Sequence, residues 1–194
     1  MRPGGRAATR RAPRVVVTGS ESTGKTTLAG AVAQAMRSLW VPEYARTYAE
    51  RVQRPLTAHD VPLIARGHLK AVETIEGEWR ARFAARADAP PLVLDTDLLS
   101  TVVYARHYYG ACPPWIEEAV RTSLGDLYLL CLPDLPWEAD GVRDQPTSRA
   151  ELHARFFETL QEFGAAVELV SGSGDARRAR ALSAVSLHAV RTRP

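Results

Sequence analysis

The β-branched run Arg14-Val15-Val16-Val17-Thr18 passes without a break into Gly19-Ser20-Glu21-Ser22-Thr23-Gly24-Lys25-Thr26-Thr27, and from there into a helical pattern. Strand, glycine-bracketed loop and helix in that order mark a phosphate-binding loop. This feature sets the local fold and the ligand class, which is a nucleoside triphosphate.

Gly19 and Gly24 enclose four residues whose backbone must curl so that successive N–H groups point at phosphate oxygens; a side chain at either glycine obstructs the turn. The phosphates then lie at a helix N-terminus, where the macrodipole favours negative charge. Lys25 is expected to reach the β and γ phosphates, and the Thr26 hydroxyl to ligate the Mg²⁺ that bridges them. Gly19, Ser20, Glu21, Ser22, Thr23, Gly24, Lys25, Thr26 and Thr27 together form the expected ATP site. The competing explanation is a chance match in an ordinary turn. Against it stand the context and the scarcity of lysine: only Lys25 and Lys70 occur among 25 Lys and Arg residues. A chain that otherwise uses arginine keeps a compact ammonium where phosphate needs one.

At 194 residues the chain is expected to form one domain with a single good core. Its composition, 45% hydrophobic and 24% charged, is that of a soluble globular protein. No apolar run approaches the roughly 18 residues of a membrane span, so no membrane partner is expected. Residues 1–13 carry Arg2, Arg6, Arg10 and Arg11 and lack the apolar stretch of a signal peptide; they read as a disordered basic tail ahead of a single domain over 14–194. The net charge of +3 is modest and lies partly in that tail and at the C-terminus. It gives no reason to expect a nucleic-acid partner. Cys112 and Cys131 have no metal spacing, so neither a disulfide nor a zinc site is expected, and the cytoplasm is the expected compartment.

Five apolar runs read as strands: 14–18, 39–42, 91–95, 126–132 and 165–171. Helical patterns separate them. Leu28, Val32, Ala35, Met36 and Leu39 form one expected helix face, and Ile64, His68, Val72, Ile75, Trp79 and Phe83 a longer one that begins near Asp60 and Pro62. Pro113-Pro114 opens a helix through Ile116, Ala119 and Val120. Ser148 and Glu151 read as a capping box before Leu152, Phe156, Leu160 and Phe163, and a last helix runs over about 175–190. The alternation predicts an α/β three-layer sandwich: a five-stranded parallel sheet with helices on both faces, of the P-loop NTPase kind. Ligands bind beyond the carboxyl ends of such strands, so the segments after each strand carry the functional expectation.

The third strand ends in Asp95-Thr96-Asp97. Asp95 is assigned to the metal with Thr26, and Asp97 to an acceptor hydroxyl as general base; the alternative for Asp97 is a cap on the helix starting at Leu98. The second strand ends in Glu43, Tyr44 and Arg46, a carboxylate, an aromatic and a guanidinium that suit a ribose and a planar ring, or else include a solvated Glu43–Arg46 pair. Residues 132–146 are polar and rich in Pro, with Trp137, Arg143 and, just beyond, Arg149. They read as a lid over about 133–149 that brings positive charge to the transferring phosphoryl group, or as a surface loop whose Trp137 fills the core. Gly172 and Ser173, after the fifth strand, either approach the adenine edge or only connect strand to helix. His68 is expected to be packed and hydrogen-bonded, His107, Tyr108 and Tyr109 to follow the helix after Asp97 near the acceptor, and Arg177, Arg178 and Arg180 to be a solvated helix face.

Taken together, Gly19 to Thr27, Pro-Glu-Tyr-Ala-Arg at 42–46, Asp-Thr-Asp at 95–97 and Pro-Trp-Glu-Ala-Asp-Gly-Val-Arg at 136–143 resemble the nicotinamide riboside kinase domain of the NadR family. Ile64-Ala65-Arg66-Gly67-His68 looks like a further segment of it. The resemblance implies transfer of the γ-phosphoryl of ATP, with Mg²⁺, to the 5′-hydroxyl of nicotinamide riboside. It implies Asp97 and Glu43 on the ribose, Trp137 or Tyr44 on the nicotinamide, and Arg143 and Arg149 as closing charges. Family members that also carry an adenylyltransferase and a helix-turn-helix need more chain than the residues before Arg14, and none of the five histidines forms a nucleotidyltransferase pair. A kinase standing alone is therefore expected. The alternatives are a kinase of another nucleoside or small metabolite, and a regulator gated by nucleotide binding.

Overall fold

The structure, a computed structural model, describes residues 11–136 and 149–191. Strands β1 (Arg14–Thr18), β2 (Trp40–Val41), β3 (Leu92–Asp95), β4 (Leu127–Cys131) and β5 (Val167–Val170) form one parallel sheet in the order β2-β3-β1-β4-β5. Helices α1 (Lys25–Ala35), α2 (Tyr44–Val52), α3 (Val61–Phe83), α4 (Leu98–Tyr109), α5 (Pro114–Ser123), α6 (Arg149–Glu162) and α7 (Gly174–Arg191) connect the strands and close the chain.

The strand alternation builds two cores. Side chains at successive positions leave opposite faces, so Val16, Leu94, Tyr128 and Leu130 join α3 to α6 on one side, while Val15, Val17, Val93 and Leu129 join α1 and α7 on the other. Central strands buried on both faces read as continuous apolar runs. All five expected strands are present. One helix face is corrected: Leu28, Ala29, Val32 and Ala33 are the buried apolar positions of α1, Ala35 is exposed, and Leu39 lies beyond the helix on the other core. The capping pair falls partly outside the described residues, because α6 is described only from Arg149.

The domain begins before Arg14. Ala12 is fully buried, its N–H donates to Glu76, Arg11 bridges Asp126, and Arg14 donates to Glu76 Oε2 at 2.6 Å. Glu76 is buried in α3, and although burial raises its pKa, bonds from Arg14 and the Ala12 amide and the charges of Arg14 and Arg80 hold it below the ordinary range. Residues 11–13 therefore belong to the packed fold and not to a tail. No helix of the described residues is long and apolar enough to cross a membrane.

Candidate active site

The loop after β1 folds as its glycines demand. Gly19 has φ +135°, and a Cβ there would stand 2.8 Å from the Cys131 carbonyl oxygen on β4. Gly24 caps α1 at φ 72°, leaving the N–H groups of Lys25, Thr26 and Thr27 without helical acceptors. The buried Lys25 Nζ donates to the Ser20 carbonyl at 2.8 Å, which also accepts from Thr23 Oγ1. A cavity of about 620 Å³ opens here, lined by Ser22 to Leu28 and by Glu43, Arg46, Leu135, Gly174, Asp175 and Arg177 among others.

Thr96, at φ +65° between the two aspartates, turns them apart. Asp95 is 1% exposed, and neither of its carboxylate oxygens has a partner in hydrogen-bond geometry. Burial pushes it up to about 6; the Glu43 charge adds to this, while Thr26, Lys25 and Arg46 oppose it. An orphaned buried carboxylate beside a threonine hydroxyl and a phosphate-binding loop fits a hard divalent cation. Among the described residues there is no cluster of three His, Cys, Asp or Glu able to cage a metal alone.

Asp97 takes the capping role. Its Oδ1 accepts from the Leu99 N–H at 3.1 Å at the start of α4, and its Oδ2 accepts from Tyr128 Oη at 2.6 Å. Burial brings it to about 6 as well, against these bonds and the Ser100 N–H. Both aspartates are thus raised above the ordinary carboxylate value near 4. At these two sites the folded chain binds protons more tightly than the unfolded one, so their stabilisation is complete below about pH 4 and is lost as pH rises through about 6. Buried His68, lowered to about 4, acts in the opposite sense, losing stability as pH falls through 6.5, so the aspartate share is read as a difference: between about pH 7.5 and about pH 5 the thermal midpoint of Asp95→Asn is expected to fall relative to that of the parent, and parallel pH profiles in the two proteins would refute it.

A second cavity, about 280 Å³, is lined by Glu43, Tyr44, His68, Asp97, Tyr104, Tyr108 and apolar residues of α3 and α4. Tyr104 and Tyr108 stack with centroids 6.1 Å apart, and Tyr108 Oη donates to Glu21 of the phosphate loop at 3.3 Å. His107, Tyr108 and Tyr109 end α4 instead of following it. His68 is packed as expected but also faces this cavity; burial, with the Arg14 charge, lowers it to about 4, so it is neutral at pH 7. Glu43, the residue before α2, is the one described residue that lines both cavities. Tyr44 lines the second cavity, whereas Arg46 lies on the phosphate side, 3.9 Å from Glu43.

The arginines divide differently from the expectation. Arg149 donates to the carbonyls of Ser22 and Leu135, which brings it against the phosphate loop. Trp137 and Arg143 lie outside the described residues. Arg177 is not solvated: 4% exposed, it donates to Asp134 at 2.7 Å and to the carbonyls of Thr23, Leu132 and Gly172. It ties the phosphate loop to the ends of β4 and β5. The signal was its helical spacing to the buried Ala181 and Val185. Arg177→Met leaves these partners unpaired and is expected to cost about 3 kcal/mol, read as a loss of thermal midpoint; an unchanged midpoint would refute the staple. Gly172 and Ser173 lie in the connection from β5 to α7, the second of the two expected placements: the Gly172 N–H donates to Asp134 and the Ser173 carbonyl accepts from the Arg177 N–H, while Gly174 and Asp175 line the phosphate cavity.

A family model described as AAA domain matches residues 14–177. The chain is 28% identical over 154 residues to the trifunctional NAD biosynthesis/regulator protein NadR of Escherichia coli (strain K12), a match covering 76% of this chain and 35% of that protein. A solved structure of NadR protein in complex with NR is 28% identical with a TM-score of 0.77, over 93% of this chain and 52% of that one. A second, in complex with NAD and AMP-PNP, is 27% identical with a TM-score of 0.73, over 93% and 50%. The chain thus spans about a third of the curated relative and about half of each solved chain.

Proposed function

Because this chain belongs to the AAA domain family, we propose that its two adjoining cavities make it an ATP-dependent kinase that phosphorylates the 5′-hydroxyl of nicotinamide riboside to nicotinamide mononucleotide. The observation that carries this reading is the position of Glu43, on the wall common to the phosphate cavity and the tyrosine-lined cavity. An acceptor hydroxyl meets a γ-phosphate only at such a junction. Likeness to NadR supports the acceptor, and so does the pocket: stacked tyrosines with Glu43 and Asp97 suit a cationic pyridinium ring.

Each residue then has a task. Lys25 exchanges the Ser20 carbonyl for the β and γ phosphates, joined by the N–H groups that open α1. Thr26 and Asp95 would hold Mg²⁺, which would offset negative charge on the phosphates. Glu43 takes the proton of the attacking 5′-hydroxyl, the role first expected of Asp97, whose two oxygens are occupied by Leu99 and Tyr128. Asp97 instead fixes the floor of the acceptor cavity. Arg149 places positive charge beside the loop, and Arg143 and Trp137 keep their proposed roles of closing charge and ring contact. The free thiols Cys112 and Cys131 support a cytoplasmic setting.

The direct test incubates the protein with Mg²⁺, ATP and nicotinamide riboside and measures ADP and nicotinamide mononucleotide together, with Lys25→Ala as the blank. Equal amounts of both products are expected. Tight ATP binding without a phosphorylated riboside would move the protein to another acceptor or to a regulatory role.

A further inference from the structure

Helix α3 carries two glycines, although glycine is the poorest helix former after proline. They stand in different surroundings. A Cβ at Gly77 would meet nothing within 4 Å, whereas a Cβ at Gly67 would overlap the Cε1 and Cζ atoms of the Tyr44 ring and crowd its hydroxyl. The ring therefore lies against the bare backbone of α3 at one position only. Tyr44 also lines the smaller cavity, together with Glu43 and the α4 tyrosines, while Ile64 and His68 line it from the same stretch of α3.

From this we infer that Gly67 is a specificity-determining position of the acceptor site, acting through Tyr44. Its missing side chain lets the ring lie back on α3, and that recess leaves the cavity open for a planar nucleoside ring. A methyl group at position 67 meets the far end of a side chain, not backbone, so the ring must swing and the helix need not break. The open space beside the ring is the cavity it lines. The inference rests on the reading of that cavity as the acceptor pocket.

The test compares Gly67→Ala, Gly77→Ala, Tyr44→Ala and the Gly67→Ala/Tyr44→Ala double variant. It measures KM for nicotinamide riboside and for ATP separately, together with the thermal midpoint. Gly67→Ala is expected to raise the riboside KM about tenfold, the scale of one overpacked side chain, and to leave the ATP KM within about twofold. Gly77→Ala is expected to change neither. In the Tyr44→Ala background the same methyl is expected to add no further change, because the ring it displaces is gone. An unchanged riboside KM in Gly67→Ala, or an equal increment with and without Tyr44, overturns the inference while leaving the kinase reading intact. A fall in thermal midpoint that Tyr44→Ala restores without any KM effect also overturns it, since the glycine would then be purely structural. A wild-type protein that phosphorylates no nucleoside overturns the acceptor reading and this inference with it.

Discussion

Lys25→Ala is expected to lower kcat/KM for ATP by about a thousandfold or more, the loss typical of removing a fixed charge from a phosphoryl-transfer site. In the free chain the ammonium donates to the Ser20 carbonyl, and its charge opposes the upward shift of Asp95. The loop keeps its shape without it, because Thr23 Oγ1 bonds the same carbonyl, Arg177 holds Thr23 and Arg149 holds Ser22. The thermal midpoint should therefore stay close to that of the parent while turnover collapses. Steady-state kinetics beside a melting curve separate the two effects. A variant that kept most of its kcat/KM would remove this loop from the catalytic account.

Glu43→Gln is the second large effect, an expected drop in kcat of about a hundredfold to ten-thousandfold with both KM values nearly unchanged. The change is conservative, since Glu43 precedes α2 without a side-chain capping bond and pairs with Arg46 only at 3.9 Å, so it removes a base and keeps the shape of the side chain. Asp97→Asn is the informative comparison. Its carboxylate caps α4 and accepts from the buried Tyr128 hydroxyl, so its loss is expected to lower the thermal midpoint more than it lowers kcat. If Asp97→Asn abolished turnover while Glu43→Gln remained active, the two roles would have to be exchanged.

The parts of this site legible in the sequence are those made by neighbours along the chain. The phosphate loop needs a strand, two glycines, a lysine and a helix start within a dozen or so residues, and those local requirements can be read from the sequence. The central strands β1, β3 and β4 were legible because burial on both faces demands unbroken apolar runs. Arg177 is not legible as a buried staple because three of its partners, Thr23, Leu132 and Asp134, come from two distant segments, and only Gly172 is a near neighbour along the chain. A guanidinium on a helix says nothing by itself about whether carbonyls wait to receive it. The same holds for the two aspartates of the Asp-Thr-Asp turn, identical in type and two residues apart, which Thr96 and the position of Tyr128 send to different tasks.

The amino-acid order alone thus determined the alternation of strands and helices, the phosphate loop and the set of polar residues at the carboxyl edge of the sheet, since each follows from backbone sterics and side-chain periodicity. Tertiary structure decided which of those residues share a cavity. It set Glu43 between the two pockets, buried Asp95 without partners beside Thr26, turned Asp97 into a cap and laid Tyr44 against Gly67. The reason is physical: desolvation and hydrogen-bond occupancy are properties of what packs around a side chain, and that packing comes from segments far away in the sequence.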